Sequence, residues 1–125
     1  MVRILLAEDE QAMREYLARA LERSGYDVVA VDRGTEAAPL LEHQHFDLLL
    51  TDIVMPEMDG IELARHCGKV SPRTEVMFIT GFSGVALRAG QSVPQAKVLS
   101  KPFHLKDLVL EVERLFAKES ATGLN

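Results

Sequence analysis

The stretch that decides the fold is residues 46–60, which read FDLLLTDIVMPEMDG. An apolar run ends in a carboxylate at Asp52, and the chain then passes through a Met-Pro pair and an Asp-Gly pair. A continuous apolar run of this kind is typical of a parallel strand that is covered on both faces. Burying a bare charge at the end of such a strand is costly, so Asp52 needs a partner or a chemical task.

Two further apolar runs end in charged residues. Residues 2–7 are followed by Glu8 and Asp9, and residues 96–100 are followed by Lys101. Because the carboxyl ends of parallel strands meet along one edge of a sheet, we expect these side chains to gather there with the acid of the first stretch.

Strand-like and helix-like segments alternate along the whole chain, with helical apolar spacing between the apolar runs. The predicted strands are 2–7, 27–31, 46–51, 75–80 and 96–99, and the predicted helices are 11–24, 35–43, 60–68, a short 85–88 and a final helix from 105. Asp59 and Glu62 form a capping-box pattern at the start of the third helix. Five such units predict a single α/β domain, a flavodoxin-like (βα)5 doubly wound parallel sheet with strand order 2-1-3-4-5.

Composition and charge narrow the class of protein. The chain has 125 residues, a net charge of −5 and one cysteine, Cys67. This length suits one compact domain, and the acidic balance argues against a nucleic-acid partner. The lone cysteine fits a reducing cytoplasm, and no apolar stretch approaches the roughly 20 residues of a membrane span. We therefore expect a cytoplasmic protein that binds neither nucleic acid nor membrane.

The acids at the strand ends predict a metal site. Glu8, Asp9 and Asp52 bring about three negative charges into one crevice and repel one another unless a cation joins them. Mg²⁺ prefers oxygen ligands and bridges carboxylates to phosphate, so we expect it as the cofactor. The backbone carbonyl of Val54 is expected to be a further ligand.

The remaining polar residues predict phosphoryl chemistry. Lys101 supplies a compact positive charge and Thr80 a hydroxyl, and both groups can contact phosphoryl oxygens. Asp52 can act as a nucleophile on phosphorus and carry an aspartyl phosphate. Such an acyl phosphate is labile, which suits a switch.

Six motifs lie in a fixed order along the chain, namely Glu8-Asp9, Asp52, Met55-Pro56, Asp59-Gly60, Thr80-Gly81 and Lys101-Pro102-Phe103. Over residues 2 to about 118 they resemble the receiver domains of bacterial two-component response regulators. The resemblance implies the following roles: Glu8 and Asp9 at the metal, Asp52 as phospho-acceptor, Thr80 as switch hydroxyl and Lys101 as phosphate contact. It also implies a cis peptide before Pro102.

Three longer segments, residues 49–65, 77–82 and 97–105, look like those of CpdR-type single-domain response regulators of alphaproteobacteria. That resemblance implies a histidine phosphotransferase or histidine kinase of a cell-cycle phosphorelay as phosphodonor. It also implies an unphosphorylated form that acts as an adaptor for the ClpX unfoldase of the ClpXP protease. We expect a receiver domain at 1–118 and a flexible tail at 119–125, so that the signal leaves through the receiver surface.

Three positions depart from the receiver pattern. Val98 stands three residues before the lysine, where receivers commonly place Tyr or Phe, so the usual aromatic switch is in doubt. Val54 and Phe82 are apolar where many receivers carry polar groups. We expect both to alter the access of water to the aspartyl phosphate and therefore its lifetime.

Two functions from different classes remain open. The chain is either an adaptor whose partner recognises one phosphorylation state, or an intermediate that passes phosphate between histidines. A haloacid-type phosphatase would use the same nucleophile but would need a second Asp at position 54, which is Val. Apart from chemistry at Asp52 itself, we expect no enzymatic activity.

Overall fold

The computed structural model describes residues 1–101 and 103–123, with side chains described except for Ser83 and residues 118–123. Within these residues, five strands alternate with five helices. In chain order they are β1 (Arg3–Ala7), α1 (Gln11–Arg23), β2 (Asp27–Val31), α2 (Gly34–His43), β3 (Leu48–Asp52), α3 (Gly60–Val70), β4 (Glu75–Thr80), α4 (Ser83–Ser92), β5 (Lys97–Ser100) and α5 (Leu105–Gly123).

The strands form one parallel sheet in the order β2-β1-β3-β4-β5, which confirms the predicted topology. The most apolar strands, β1, β3 and β4, are central, and every residue of β3 is buried. The strand order changes direction between β1 and β3, and in doubly wound sheets the ligand crevice lies at this point.

Helices cover both faces of the sheet, which explains why the central strands are apolar without alternation. Side chains of one face pack with α1 and α5; they include Ile4, Leu6, Leu17, Leu21, Leu50, Leu108 and Val112. Side chains of the other face pack with α2 and α3; they include Leu5, Ala7, Leu41, Leu49, Leu63 and Cys67. A further cluster joins α3, α4 and β4.

Helix α4 is longer than its sequence predicts. A helix was expected only over residues 85–88, because Gly84 and Gly90 disfavour helix formation, but it extends over Ser83–Ser92. Ala89 and Val93 are buried against Phe78 of the sheet, so packing offsets the weak propensity.

Two predictions concern the last part of the chain, and a third concerns a membrane span. Helix α5 continues to Gly123, beyond the expected domain boundary at residue 118. The cis peptide expected before Pro102 lies outside the described residues. In the part of the chain that the structure describes, no helix combines the length and apolar character needed to cross a membrane.

Candidate functional site

The acidic residues meet at the carboxyl edge of the sheet. Strands β1 and β3 are neighbours, with Ala7 paired to Thr51, so the residues that follow them emerge side by side. One carboxylate oxygen from each of Glu8, Asp9 and Asp52 lies within 4.8 Å of the other two. The sheet thus brings together the three acids that the sequence predicts as metal ligands.

Lys101 reaches the same edge from β5. Its backbone N–H donates to the carbonyl of Thr80 at 2.7 Å, which continues the pairing of β4 and β5 by one residue. Its Nζ lies 3.7 Å from Oε1 of Glu8. One cation therefore faces the acids, and the described side chains at this site carry more negative than positive charge.

The environment of Glu8 suits a cation. The residue is fully buried, and its Oε2 accepts a hydrogen bond from the backbone N–H of Glu10 at 3.2 Å. Among the described residues, its Oε1 has no hydrogen-bond partner. A buried carboxylate oxygen without a partner is costly. Together with the donor set of three oxygen ligands, this oxygen without a hydrogen-bond partner fits Mg²⁺.

Glu8 and Asp52 hold protons more tightly than ordinary carboxyls. Burial, and then the neighbouring carboxylate of Asp52, raises the pKa of Glu8 from 4.5 to about 7. Burial also raises the pKa of Asp52, against the opposing effect of the Lys101 ammonium. A metal ion at this site must displace those protons, so its affinity is expected to fall as the pH is lowered.

The raised pKa of Glu8 predicts a pH dependence of stability without metal. Between pH 4.5 and about 7, the folded state retains a proton on Glu8 that the unfolded chain has released. The free energy of unfolding should therefore fall as the pH rises through this window. Urea unfolding of the wild type and of Glu8→Gln is measured across this pH window without Mg²⁺. The difference between the two proteins in how the free energy of unfolding changes with pH gives the contribution of Glu8.

Two controls make the test specific. Excess Mg²⁺ should flatten the wild-type dependence, because it neutralises the carboxylates that repel one another. In Glu8→Gln, the change in the free energy of unfolding with pH should lack the contribution of Glu8, with or without Mg²⁺. A wild-type stability that rises relative to Glu8→Gln over the same window would contradict the assignment.

Asp52 is held in a fixed orientation. The residue is only 8% exposed, and its Oδ1 accepts a hydrogen bond from the backbone N–H of Ile53 at 2.8 Å. The buried hydroxyl of Thr51 donates to the backbone carbonyl of Asp52 at 2.8 Å. The bond to Oδ1 limits the rotation of this carboxylate and the bond to the carbonyl holds its peptide, an arrangement that suits a positioned nucleophile.

Thr80 lies at the end of β4 and is fully buried. Its Oγ1 accepts a hydrogen bond from the backbone N–H of Phe82 at 3.1 Å. A hydroxyl that accepts one hydrogen bond still carries a proton to donate. This hydrogen bond thus connects the Thr80 hydroxyl to the backbone of Phe82, directly before α4.

The three residues that depart from the receiver pattern differ in exposure. Val54 is 47% exposed and Phe82 60% exposed. Val98 is half-buried in β5 and packs with the cluster of α3, α4 and β4. The first two thus present apolar surface to solvent two residues after Asp52 and Thr80.

Sequence reasoning missed two groups that hold Glu8. The guanidinium of Arg14 donates to the backbone carbonyl of Glu8 at 3.0 Å, and the carbonyl of Val31 accepts the backbone N–H of Glu8 at 3.1 Å. Arg14 resembles any polar residue on the outer side of an amphipathic helix. The bond to β2 depends on strand register, which a single sequence does not reveal.

Comparison with known proteins identifies the family to which this chain belongs. The profile of the response regulator receiver domain matches residues 4–113, and the chain belongs to this family. It is 57% identical over 116 residues to the response regulator receiver protein CpdR of Brucella abortus (strain 2308), covering 92% of this chain and 97% of CpdR. The chain is thus a CpdR-like receiver domain of two-component signalling.

Two more distant relatives bear on the site. The sensor kinase CckA of Brucella abortus (strain 2308) is 37% identical over 121 residues, which cover 93% of this chain and 13% of the kinase. The crystal structure of the response regulator protein TrrA from Thermotoga maritima, in complex with Mg(2+)-BeF, matches with a TM-score of 0.79 and 28% identity. That match covers 92% of this chain and 99% of TrrA.

Proposed function

We propose that this receiver domain is phosphorylated on Asp52 in a Mg²⁺-dependent reaction, and that its phosphorylation state controls which protein it binds. One observation carries the proposal. Three carboxylate oxygens lie within 4.8 Å of one another, and Lys101 Nζ is 3.7 Å from one of the acids. Such a concentration of acids beside one lysine is unfavourable unless protons or a cation neutralise it. A bound divalent cation can in turn hold a phosphoryl group.

The proposed metal ligands are Glu8, Asp9, Asp52 and the backbone carbonyl of Val54. When bound, Mg²⁺ would neutralise negative charge on the acids and on the transferring phosphoryl group. The complex of TrrA with Mg(2+)-BeF supports this cofactor for the family. The buried Oε1 of Glu8, which has no hydrogen-bond partner among the described residues, supports it for this chain.

In the proposed transfer, a side-chain oxygen of Asp52 attacks phosphorus on a phosphohistidine. An O–P bond forms while the P–N bond breaks, and the electron pair of that bond returns to the imidazole nitrogen. The ammonium of Lys101 offsets charge on the phosphoryl oxygens, and the hydroxyl of Thr80 donates to one of them. The activity we propose is confined to phosphorylation and dephosphorylation of this one side chain.

The proposed phosphodonor is a histidine phosphotransferase or a histidine kinase. The similarity to part of the sensor kinase CckA supports a phosphorelay that contains such proteins. The proposed compartment is the cytoplasm, which suits the single cysteine, buried as a free thiol in the described part of the chain.

The proposed output is adaptor binding to the ClpX unfoldase of ClpXP, controlling proteolysis in the cell cycle. The 57% identity to CpdR over nearly all of its length supports this output. Exposed Phe82 and Leu87 lie at the start of α4 and within it, and offer apolar surface to a protein partner. Phosphorylation would shift the equilibrium between two states of this surface.

A phosphotransfer intermediate without its own effector is the second candidate, favoured by the similarity to the receiver-like part of a sensor kinase. Capture by immobilised chain separates the two, using purified ClpX and a purified histidine phosphotransferase as prey. The adaptor predicts that ClpX binds the unphosphorylated wild type and Asp52→Asn and is released from the phosphorylated wild type. Binding of the histidine protein alone, in every state, would favour the intermediate.

Val54 and Phe82 should set the lifetime of the aspartyl phosphate. Both are well exposed, and because their side chains are apolar, neither side chain can hydrogen-bond a water molecule for attack on the phosphoryl group. We expect Val54→Asn combined with Phe82→Glu to raise the rate of phosphate loss by about tenfold, since polar groups can orient or activate that water. The decay of the phosphorylated fraction, followed by intact mass, measures it.

The matched control for this pair is Leu110→Glu, which adds a charge at an apolar position on α5 that is 41% exposed. It should leave the lifetime within twofold of the wild type. Equal lifetimes for all three proteins would exclude a role for the two apolar residues.

A further inference from the structure

The loop between β3 and α3, residues 53–59, holds a backbone conformation that needs support. It begins directly after Asp52, and Glu57 within it has a φ of 69°. A non-glycine residue in this left-handed region is unfavourable and persists only when its surroundings hold it. The contacts of this β3–α3 loop therefore determine where the residues after Asp52 lie.

The first turn of α2 packs directly on this loop. A Cβ at Gly34, the first residue of α2, would lie 2.7 Å from the carbonyl oxygen of Met58 and 3.1 Å from its Cβ and Cγ. Thr35 Oγ1 donates to Oε2 of Glu57 at 3.5 Å. The contact is closest at the backbone, so a side chain at position 34 must push the loop or the helix away.

The segment that leads into α2 also contacts the chain at Glu8, the acidic residue that follows β1. The carbonyl of Val31, the last residue of β2, accepts the backbone N–H of Glu8 at 3.1 Å. Residues 31–35 therefore bridge the chain at Glu8 and the β3–α3 loop, although none of them is among the clustered acids. These residues are placed to set the distance between the acids after β1, Glu8 and Asp9, and the loop that follows Asp52.

We propose that Gly34 is a positioning residue for the phosphorylation site, where the missing side chain lets α2 hold the β3–α3 loop against the acids. This inference rests on the proposed Mg²⁺-dependent phosphorylation. A side chain at position 34 would displace the loop that carries Val54, one of the proposed ligands. The main effect should therefore be on the affinity for Mg²⁺.

The test compares Gly34→Ala with Gly68→Ala. Gly68 lies in α3, where an added Cβ meets no atom within 4 Å, so the control makes the same change in open space. In metal-free protein, NMR should show displaced amide signals for residues 53–59 in Gly34→Ala only. Titration with Mg²⁺ should give a dissociation constant at least fivefold higher for Gly34→Ala and unchanged for Gly68→Ala. The phosphorylation rate with a small phosphodonor should recover at saturating Mg²⁺, which a loss of folded protein alone does not predict.

The outcomes separate this inference from the proposed function. If the wild type binds no Mg²⁺ and takes up no phosphate, the proposed function fails. If the wild type does both and folded Gly34→Ala has the same Mg²⁺ affinity and loop signals, only the positioning role fails. Should Gly34→Ala not fold, Thr35→Val removes the bond to Glu57 without added bulk and should weaken Mg²⁺ binding about twofold. Unchanged binding in Thr35→Val would then overturn the inference.

Discussion

Asp52→Asn abolishes covalent phosphorylation by a small phosphodonor in the presence of Mg²⁺: this is the largest effect we expect. An amide is a poor nucleophile and also loses the charge that the metal would bind, so the rate should fall by roughly 10³-fold or more. Intact-mass measurement of the phosphorylated fraction over time gives the result directly. The variant should remain folded, because the neutral amide relieves the repulsion that buried Asp52 exerts on Glu8.

The matched control is Asp59→Asn, which makes the same chemical change seven residues further along the chain. Asp59 caps α3 by accepting a hydrogen bond from the backbone N–H of Glu62 at 2.9 Å. Asparagine caps helices about as well as aspartate, so this variant should be phosphorylated like the wild type. Phosphate retained on Asp52→Asn, or absent from the wild type, would remove Asp52 as the acceptor.

Gly60→Ala should produce the largest loss of stability among the single-methyl changes considered. A Cβ at Gly60 would overlap the backbone oxygen of Asp52 and would lie 2.9 Å from the Cα of Ile53 and 3.1 Å from the carbonyl carbon of Asp52. All three atoms belong to the backbone, so no side-chain rotation relieves the overlap. Helix α3 must move away from β3, which we expect to lower the free energy of unfolding by about 3 kcal/mol.

Urea unfolding of Gly60→Ala beside Gly68→Ala measures this difference. The control adds its methyl to α3 in open space, where alanine's helix propensity should raise the stability by up to about 1 kcal/mol. Because Gly60 contacts the peptide of Asp52, the folded fraction of Gly60→Ala should also be phosphorylated more slowly. A stability equal to that of the wild type would show that the contact relaxes at little cost.

Much of the fold could be predicted because patterns within short stretches of sequence indicate the strands and helices. Apolar runs without alternation indicated β1, β3 and β4, and helical spacing between them indicated a parallel sheet with helices on both faces. The order 2-1-3-4-5 then followed from the centrality of those strands and was confirmed. The extent of α4 could not be read in this way, since burial of Ala89 and Val93 outweighs the glycines of its sequence.

The amino-acid sequence by itself determined which residues are proposed to bear the chemistry, since Glu8, Asp9, Asp52 and Lys101 each lie at or directly after the end of an apolar run. Parallel pairing necessarily brings such residues to one edge. Only the tertiary structure decided how those residues are held, through Arg14 and Val31 at Glu8 and through Gly34 and Gly60 at the β3–α3 loop. The physical reason is that close backbone packing and hydrogen bonds between distant segments depend on register and helix placement, which no local pattern records.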